Sequence, residues 1–192
     1  MSADPYVYPG TNVLINKLGL KTATELDRAE RLLVVQRASE DLPIGDFDLA
    51  HLRAIHRHLF QDLYDWAGEL RMVEISKDGD QFQFRQYLET GLADVHRRLK
   101  SANMLRGLSS QDFSREAGQI LGDVNYVHPF REGNGRAQLY YLEQLANQAG
   151  HPIDLSVLDP TSWISASRAA QNADYRPMSV AIGRAIKTRP EP

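Results

Sequence analysis

Apolar residues recur at intervals of three and four along most of the chain, which predicts a protein built from amphipathic helices. The clearest such segment follows Asp48, a residue typical of a helix N-cap. Its apolar residues lie on one stripe: Leu49, Leu52, Ile55, Leu59 and Leu63. Further helices are predicted over residues 22–39, 86–100, 110–126, 135–147, 161–171 and 177–187. The pattern therefore predicts an all-α fold, a bundle of many helices.

One segment, at about 71–84, departs from the helical period. Apolar and polar residues alternate over 72–76 and 81–84, and the intervening Lys77-Asp78-Gly79-Asp80 is typical of a turn. This predicts a β-hairpin that packs against the helices, because an isolated hairpin is only marginally stable. Two interpretations remain: the hairpin only covers the core, or its outer edge pairs with an extended peptide of another protein.

Composition narrows the class of protein. The 192 residues contain no repeat or long linker, so we expect a single domain over 1–192. The chain has no cysteine, which excludes thiol catalysis and cysteine-ligated zinc. The net charge of −3 disfavours a nucleic-acid-binding protein. No apolar run reaches the roughly 20 residues that span a bilayer, and no signal-peptide pattern is present. We expect a cytoplasmic protein that binds neither nucleic acid nor membranes.

The residues that suggest chemistry lie in a motif loop at 128–136, with the sequence H-P-F-R-E-G-N-G-R, between two predicted helices. Pro129 disfavours helical geometry in the residue before it, so His128 is expected to end the first helix and to lie on the loop. The two glycines around Asn134 allow backbone N–H groups to converge on an anion. The same loop opens the next helix, whose N-terminal amides and dipole favour a bound phosphate.

The charged residues of the motif loop extend this prediction. Arg136 adds a positive charge in the first turn of the helix, whereas Glu132 would repel a phosphate unless a cation bridged them. Mg²⁺ fits, because it binds one or two carboxylates together with phosphate oxygens and water. His128 is the candidate general base. Each feature alone is more often structural, so the prediction of phosphoryl or nucleotidyl transfer depends on their occurrence together within nine residues.

The motif loop resembles the H-P-F-x-[D/E]-G-N-G-R signature of the Fic (filamentation induced by cAMP) family, and the similarity extends over roughly residues 5–186. The resemblance implies a Fic fold with a hairpin flap, and transfer of AMP from ATP to a hydroxyl group of a target protein. His128 would deprotonate that hydroxyl, which attacks the α-phosphate, and Glu132 would hold Mg²⁺. The other roles it implies are phosphate binding by Gly133, Asn134, Gly135 and Arg136, anchoring of the loop by Phe130, and target docking on the flap by Ile75 and Lys77.

One departure from the family pattern concerns the donor. Many family members that transfer AMP have a second arginine three residues after the first, which helps to hold the terminal phosphate, and here that position is Leu139. Losing one charge-assisted contact costs about 1.5–3 kcal/mol. Four hypotheses follow: weakened transfer, compensation by Arg131 or Arg85, a different transferred group (UMP, phosphocholine or phosphate), or a degenerate module that binds nucleotide or an antitoxin with little turnover. Leu139 is equally well explained as a core residue.

A second departure concerns regulation. The inhibitory [S/T]-x-x-x-E-[G/N] helix of many Fic proteins has no match in the chain. The sequence therefore resembles the toxin type of Fic protein, in which a separate small antitoxin supplies that helix. The resemblance also leaves open delivery into a target cell by a secretion system. The remaining histidines, including His56, and both tryptophans are predicted to be structural.

Overall fold

The computed structural model describes residues 4–77 and 79–187, and the apolar faces of its helices meet in one core. In chain order the helices are α1 (Ala23–Ala38), α2 (Leu49–Phe60), α3 (Leu88–Ser101), α4 (Ser110–Val127), α5 (Asn134–Ala149), α6 (Pro160–Gln171) and α7 (Arg176–Ala185). The hairpin consists of β1 (Ser76–Lys77) and β2 (Asp80–Gln81). Short 3₁₀ turns lie at Arg85–Tyr87, Asn103–Leu105 and Leu155–Val157. The predicted helical bundle with one hairpin is confirmed.

Helix α4 lies at the centre and packs against α3, α5, α6 and α7, while α2 packs against α1, α3 and α5. The apolar stripe predicted for α2 is buried except for Leu49, which is half-buried, and Oδ1 of its N-cap Asp48 accepts the His51 N–H at 2.8 Å. The loop between α4 and α5 is therefore held between two buried helices, α2 and α4. No helix in the described part of the chain is long and apolar enough to cross a membrane.

The buried face of α1 is wider than predicted. The sequence period places Leu26, Ala29 and Leu33 inside, and Leu26 is buried while Ala29 and Leu33 are half-buried against the core. Glu30 and Val34 are buried as well, and a hydrophobic pattern does not predict a buried glutamate. The buried Glu30 carboxylate has two partners. It accepts a hydrogen bond from the Tyr64 hydroxyl, in the segment after α2, and forms an ion pair with Arg136 of α5.

The hairpin is shorter than predicted and is paired only near its tip. Ser76 pairs with Gln81 and Lys77 with Asp80, so the residues expected to form the turn partly form the strands. Asp78, part of the expected turn, lies outside the described residues. Next to this pairing the Phe82 N–H donates to the Ile75 carbonyl oxygen at 3.2 Å. At the hairpin base the Arg71 guanidinium donates to carbonyl oxygens on both sides, at Val73 (2.7 Å) and Gln83.

Candidate active site

The motif loop begins where α4 ends at Val127. His128 caps the helix in the left-handed conformation (φ 48°, ψ 62°), and its N–H donates to the Val124 carbonyl oxygen at 3.1 Å. This conformation is uncommon for a residue with a side chain. It turns the chain out of the helix before Pro129, as the sequence predicts, and leaves the imidazole at the start of the loop.

The buried side chain of Asn134 closes the motif loop on itself. Its Oδ1 accepts the Phe130 N–H at 2.9 Å, and its Nδ2 donates to the Phe130 carbonyl oxygen at 2.8 Å. The Asn134 amide is thus occupied in holding the loop. Its backbone N–H is in the first turn of α5, where amides have no intrahelical acceptor.

Below the loop, Phe130 is buried and stacks on the His56 ring with the centroids 3.8 Å apart. His56 Nδ1 accepts the Gly68 N–H at 2.8 Å, so Nε2 carries the proton and donates to the Glu132 carbonyl oxygen at 2.9 Å. Burial lowers the pKa of His56 to about 4 and keeps it neutral at pH 7. The hydrophobic pattern of α2 indicates only that His56 lies next to a buried stripe. It does not predict that His56 supports the motif loop.

One ring nitrogen of His128 has no hydrogen-bond partner among the described residues. Its Nδ1 lies 3.1 Å from the Asn125 carbonyl oxygen, which can only accept, so Nδ1 carries the proton and Nε2 keeps its lone pair. Burial lowers the pKa of His128 to about 4, and the charges of Arg71 and Lys77 act in the same direction. Phe82 of the hairpin stacks on the ring at 3.8 Å. The result is a neutral, oriented imidazole suited to accept a proton.

The start of α5 offers backbone donors. Gly133 is its N-cap at φ 81°, and a Cβ there would overlap the Phe60 ring, so only glycine fits. Gly135 faces open space. Among the described residues no side chain caps the first turn of α5. Its amides are therefore available to an anion, together with the positive end of the helix dipole.

Arg136 points away from these amides. Its Nη1 pairs with Glu30 Oε1 at 2.6 Å, and its guanidinium lies over the Phe60 ring, 4.7 Å from the centroid. The Tyr64 hydroxyl donates to the other oxygen of Glu30. Burial, followed by the Glu30 charge, raises the pKa of Tyr64 above its ordinary range. Arg136 also lies 3.4 Å from Glu132 Oε1, so it links the loop to α1.

These elements enclose a cleft of about 590 Å³. The sequence-predicted residues that line it are Ile75, Lys77, His128, Glu132, Asn134 and Gly135. Those predicted residues that do not line it are Phe130 and Gly133, which support the loop, and Arg136. The cleft therefore brings the flap residues and the general-base candidate to one place.

The opposite wall of the cleft was missed. It is formed by α6, through Trp163, Ile164, Ser167, Arg168 and Gln171. These residues carry no motif and lie far along the chain from the loop, so only the packing of α6 on α4 identifies them. Trp163 is buried, as predicted for a core residue, and also lines the cleft.

Arg131 and Arg85, the two residues expected to compensate for the arginine missing at position 139, differ in their relation to the cleft. Arg131 lines the cleft and makes two contacts with Asp4 Oδ2, at 3.0 and 2.7 Å. Arg85 lies outside the cleft and is 3.9 Å from Glu74. Leu139 is half-buried and packs against the core.

Few side chains are placed to bind a metal ion in the described part of the chain. Glu132 is exposed and lines the cleft, and in the part of the chain that the structure describes no three histidine or acidic residues are grouped so as to hold a metal. A single carboxylate fits Mg²⁺, which takes most of its ligands from phosphates and water. It does not fit a metal that requires a cage of protein ligands.

Comparison with known proteins identifies the family of the chain. A model of the Fic/DOC family matches residues 46–146. The chain is 40% identical over 184 residues to y4lH of Sinorhizobium fredii, described as a probable protein adenylyltransferase, and the match covers 95% of this chain and 96% of y4lH. It is 38% identical over 186 residues to the protein adenylyltransferase VbhT of Bartonella schoenbuchensis, covering 95% of this chain and 39% of VbhT. The chain belongs to the Fic/DOC family.

Solved structures of other proteins share the fold of this chain. The fold matches the crystal structure of the BepC protein of Bartonella tribocorum, a VirB-translocated effector with bound AMPPNP, with a TM-score of 0.87 and 28% identity. That match covers 96% of this chain and 97% of the BepC chain. An N-terminal Fic domain from Bartonella quintana with bound ADP matches with a TM-score of 0.86 and 29% identity, covering 96% of this chain and 95% of that one.

Proposed function

We propose that the protein is a protein adenylyltransferase that moves AMP from ATP to a hydroxyl side chain of a target protein. The observation that carries the proposal is the neutral His128, whose Nε2 lone pair is free and whose ring lines the same cleft as the start of α5. A base and an anion-binding helix terminus in one cleft are what nucleotidyl transfer requires.

In the proposed reaction His128 Nε2 takes the proton of the target hydroxyl as the oxygen attacks the α-phosphorus. The bond from that phosphorus to the bridging oxygen breaks, and pyrophosphate leaves. The amides at the start of α5 hold the phosphate oxygens and stabilise the charge that develops on them. The hydrogen bond from Nδ1 to the Asn125 carbonyl oxygen stabilises the imidazolium that forms.

Glu132 would hold Mg²⁺ beside the phosphates. The bound ion would supply charge neutralisation and would orient the leaving pyrophosphate. Glu132 accepts the Gly133 N–H at 2.9 Å, which fixes its carboxylate next to the anion site.

The hairpin is the proposed docking surface for the target. Ile75 and Lys77 line the cleft together with His128, and the hairpin has two strands in the described part of the chain, so each strand leaves one edge unpaired there. An extended target segment that pairs with this edge would bring its hydroxyl group to the base. We further propose that a separate antitoxin restrains the enzyme, because the chain lacks a match to the inhibitory motif of the family.

Incubation with ATP, Mg²⁺ and a bacterial lysate tests the proposal, with AMP on proteins and released pyrophosphate as readouts. Because general-base catalysis contributes about 10²- to 10⁴-fold, His128→Ala should lower both signals by that factor. His96→Ala is the matched control, since His96 makes no hydrogen bond in the described part of the chain and lies outside the cleft. Equal signals from His128→Ala and the wild type would refute the role of His128 as the base.

A second candidate function follows from Leu139: a module that binds nucleotide but transfers it slowly. The leucine offers no charge to a terminal phosphate. Leu139→Arg restores the charge, and we expect AMP transfer to rise about tenfold to a hundredfold, the equivalent of one charge-assisted contact. A wild type that transfers no AMP, together with an active Leu139→Arg, would favour this second function.

A further inference from the structure

Gln138 is a polar residue in an apolar setting that the mechanism above does not use. It lies in the second turn of α5, is only 2% exposed and lines the cleft. Its Nε2 is buried and has no hydrogen-bond partner among the residues that the structure describes. Gln144 on the same helix differs, since its side chain contacts both His51 and the Pro43 carbonyl oxygen.

An unpartnered amide of this kind is costly. A buried donor without an acceptor costs about 1–3 kcal/mol, and most such groups in proteins are paired. A methionine or leucine would fill the same space without that cost. The amide of Gln138 therefore lacks an acceptor within the described residues, and Gln138 lines the cleft, from which a ligand would supply one.

The position of Gln138 identifies which part of a ligand it faces. Asn134 and Gly135 precede it by four and three residues, so all three lie on one face of α5. A phosphate at the start of α5 would be about 5.4 Å, one helical turn, from the level of Gln138. Gln138 therefore faces the part of the ligand adjoining the phosphates.

The part of the cleft formed by α6 suits a nucleoside. It includes the apolar side chains of Trp163 and Ile164 and the hydroxyl of Ser167, together with the polar Arg168 and Gln171. Apolar and aromatic surfaces suit a base and a sugar better than they suit inorganic phosphate. The neutral amide likewise suits a neutral acceptor.

We propose that Gln138 binds the nucleoside part of the nucleotide substrate, with Nε2 donating to a ribose oxygen or a ring nitrogen of the base. The inference deepens the proposed function and rests on it, because it requires ATP to occupy the cleft. Gln138 would thus help to select a nucleotide over other phosphate compounds.

Calorimetric titration with a non-hydrolysable ATP analogue, AMP and pyrophosphate tests this assignment. Gln138→Met should bind the analogue and AMP about three- to tenfold more weakly, the range expected for one hydrogen bond, with pyrophosphate binding unchanged. Its unfolding temperature without ligand should equal or exceed that of the wild type. Gln138→Leu is a second variant of the same design.

Gln148→Met is the matched control. Gln148 lies on the same helix and also has a buried, unpartnered Nε2, but it is outside the cleft. Its variant should bind all three probes as the wild type does. Wild-type affinity for AMP in a folded Gln138 variant would overturn the assignment, and an equal loss of pyrophosphate affinity would move the contact to the phosphates. A wild type that binds no nucleotide would overturn both the inference and the proposed function.

Discussion

Two histidines at the motif loop have similar burial and different uses. Both are neutral at pH 7, because burial lowers the pKa of each to about 4. His56 uses both nitrogens, Nδ1 for the Gly68 N–H and Nε2 for Glu132 of the loop, whereas His128 uses only Nδ1 within the described part of the chain. The free lone pair, not the charge, distinguishes the proposed base from the supporting residue.

The pKa of His128 leads to a prediction for the pH profile. The neutral form is the base, so activity falls as pH drops through the pKa, and kcat/KM reports the free enzyme. We expect kcat/KM to be flat from pH 8 to about 5, with an acid limb near the pKa of about 4. An acid limb near the ordinary histidine value of about 6.5 would contradict the buried environment of the ring.

The backbone conformation of Gly133 leads to a prediction about stability. An alanine there combines a φ of 81° with an overlap between its Cβ and the Phe60 ring, so Gly133→Ala should cost about 2–4 kcal/mol of unfolding free energy and abolish transfer. Urea unfolding measures the loss. Gly135→Ala is the control, because a Cβ at Gly135 meets nothing within 4 Å, and it should be as stable as the wild type. Equal stabilities of the two variants would contradict the packing described.

Among the elements, the hairpin is held by one buried side chain as well as by its backbone pairing. Arg71 is buried and donates through Nε to the His128 carbonyl oxygen at 2.8 Å, as well as to Val73 and Gln83. Its Nη2 is also 3.4 Å from the Val127 carbonyl oxygen. One guanidinium thus ties the proposed docking surface to the residue that would act as base.

Arg71→Lys should separate the hairpin from the loop. A lysine keeps the charge but cannot reach several carbonyl oxygens in a fixed fork, so we expect a loss of about 3 kcal/mol in unfolding free energy and faster hydrogen exchange at the hairpin amides. Arg57→Lys, at an exposed position of α2, controls for the substitution and should change neither quantity. Unchanged exchange in Arg71→Lys would show that the hairpin is held by other contacts.

Across the whole molecule, the cleft combines the motif loop, the hairpin and α6. The helices and the loop could be predicted because their signals are local: period, caps and a nine-residue motif. The burial of Glu30, the support by His56 and the α6 wall could not, because each depends on a partner distant in sequence. The hairpin was predicted too long, because the alternation of apolar and polar residues does not show where pairing between the strands ends.

Transfer of label from ATP to protein tests the central claim most directly. Parallel reactions with Mg²⁺ and a bacterial lysate contain ATP labelled at either the α- or the γ-phosphorus, with wild type and His128→Ala in each. The account predicts that only the α label becomes bound to protein, that the γ label leaves in pyrophosphate, and that His128→Ala transfers neither. Protein carrying the γ label, or α label transferred equally by His128→Ala, would contradict it.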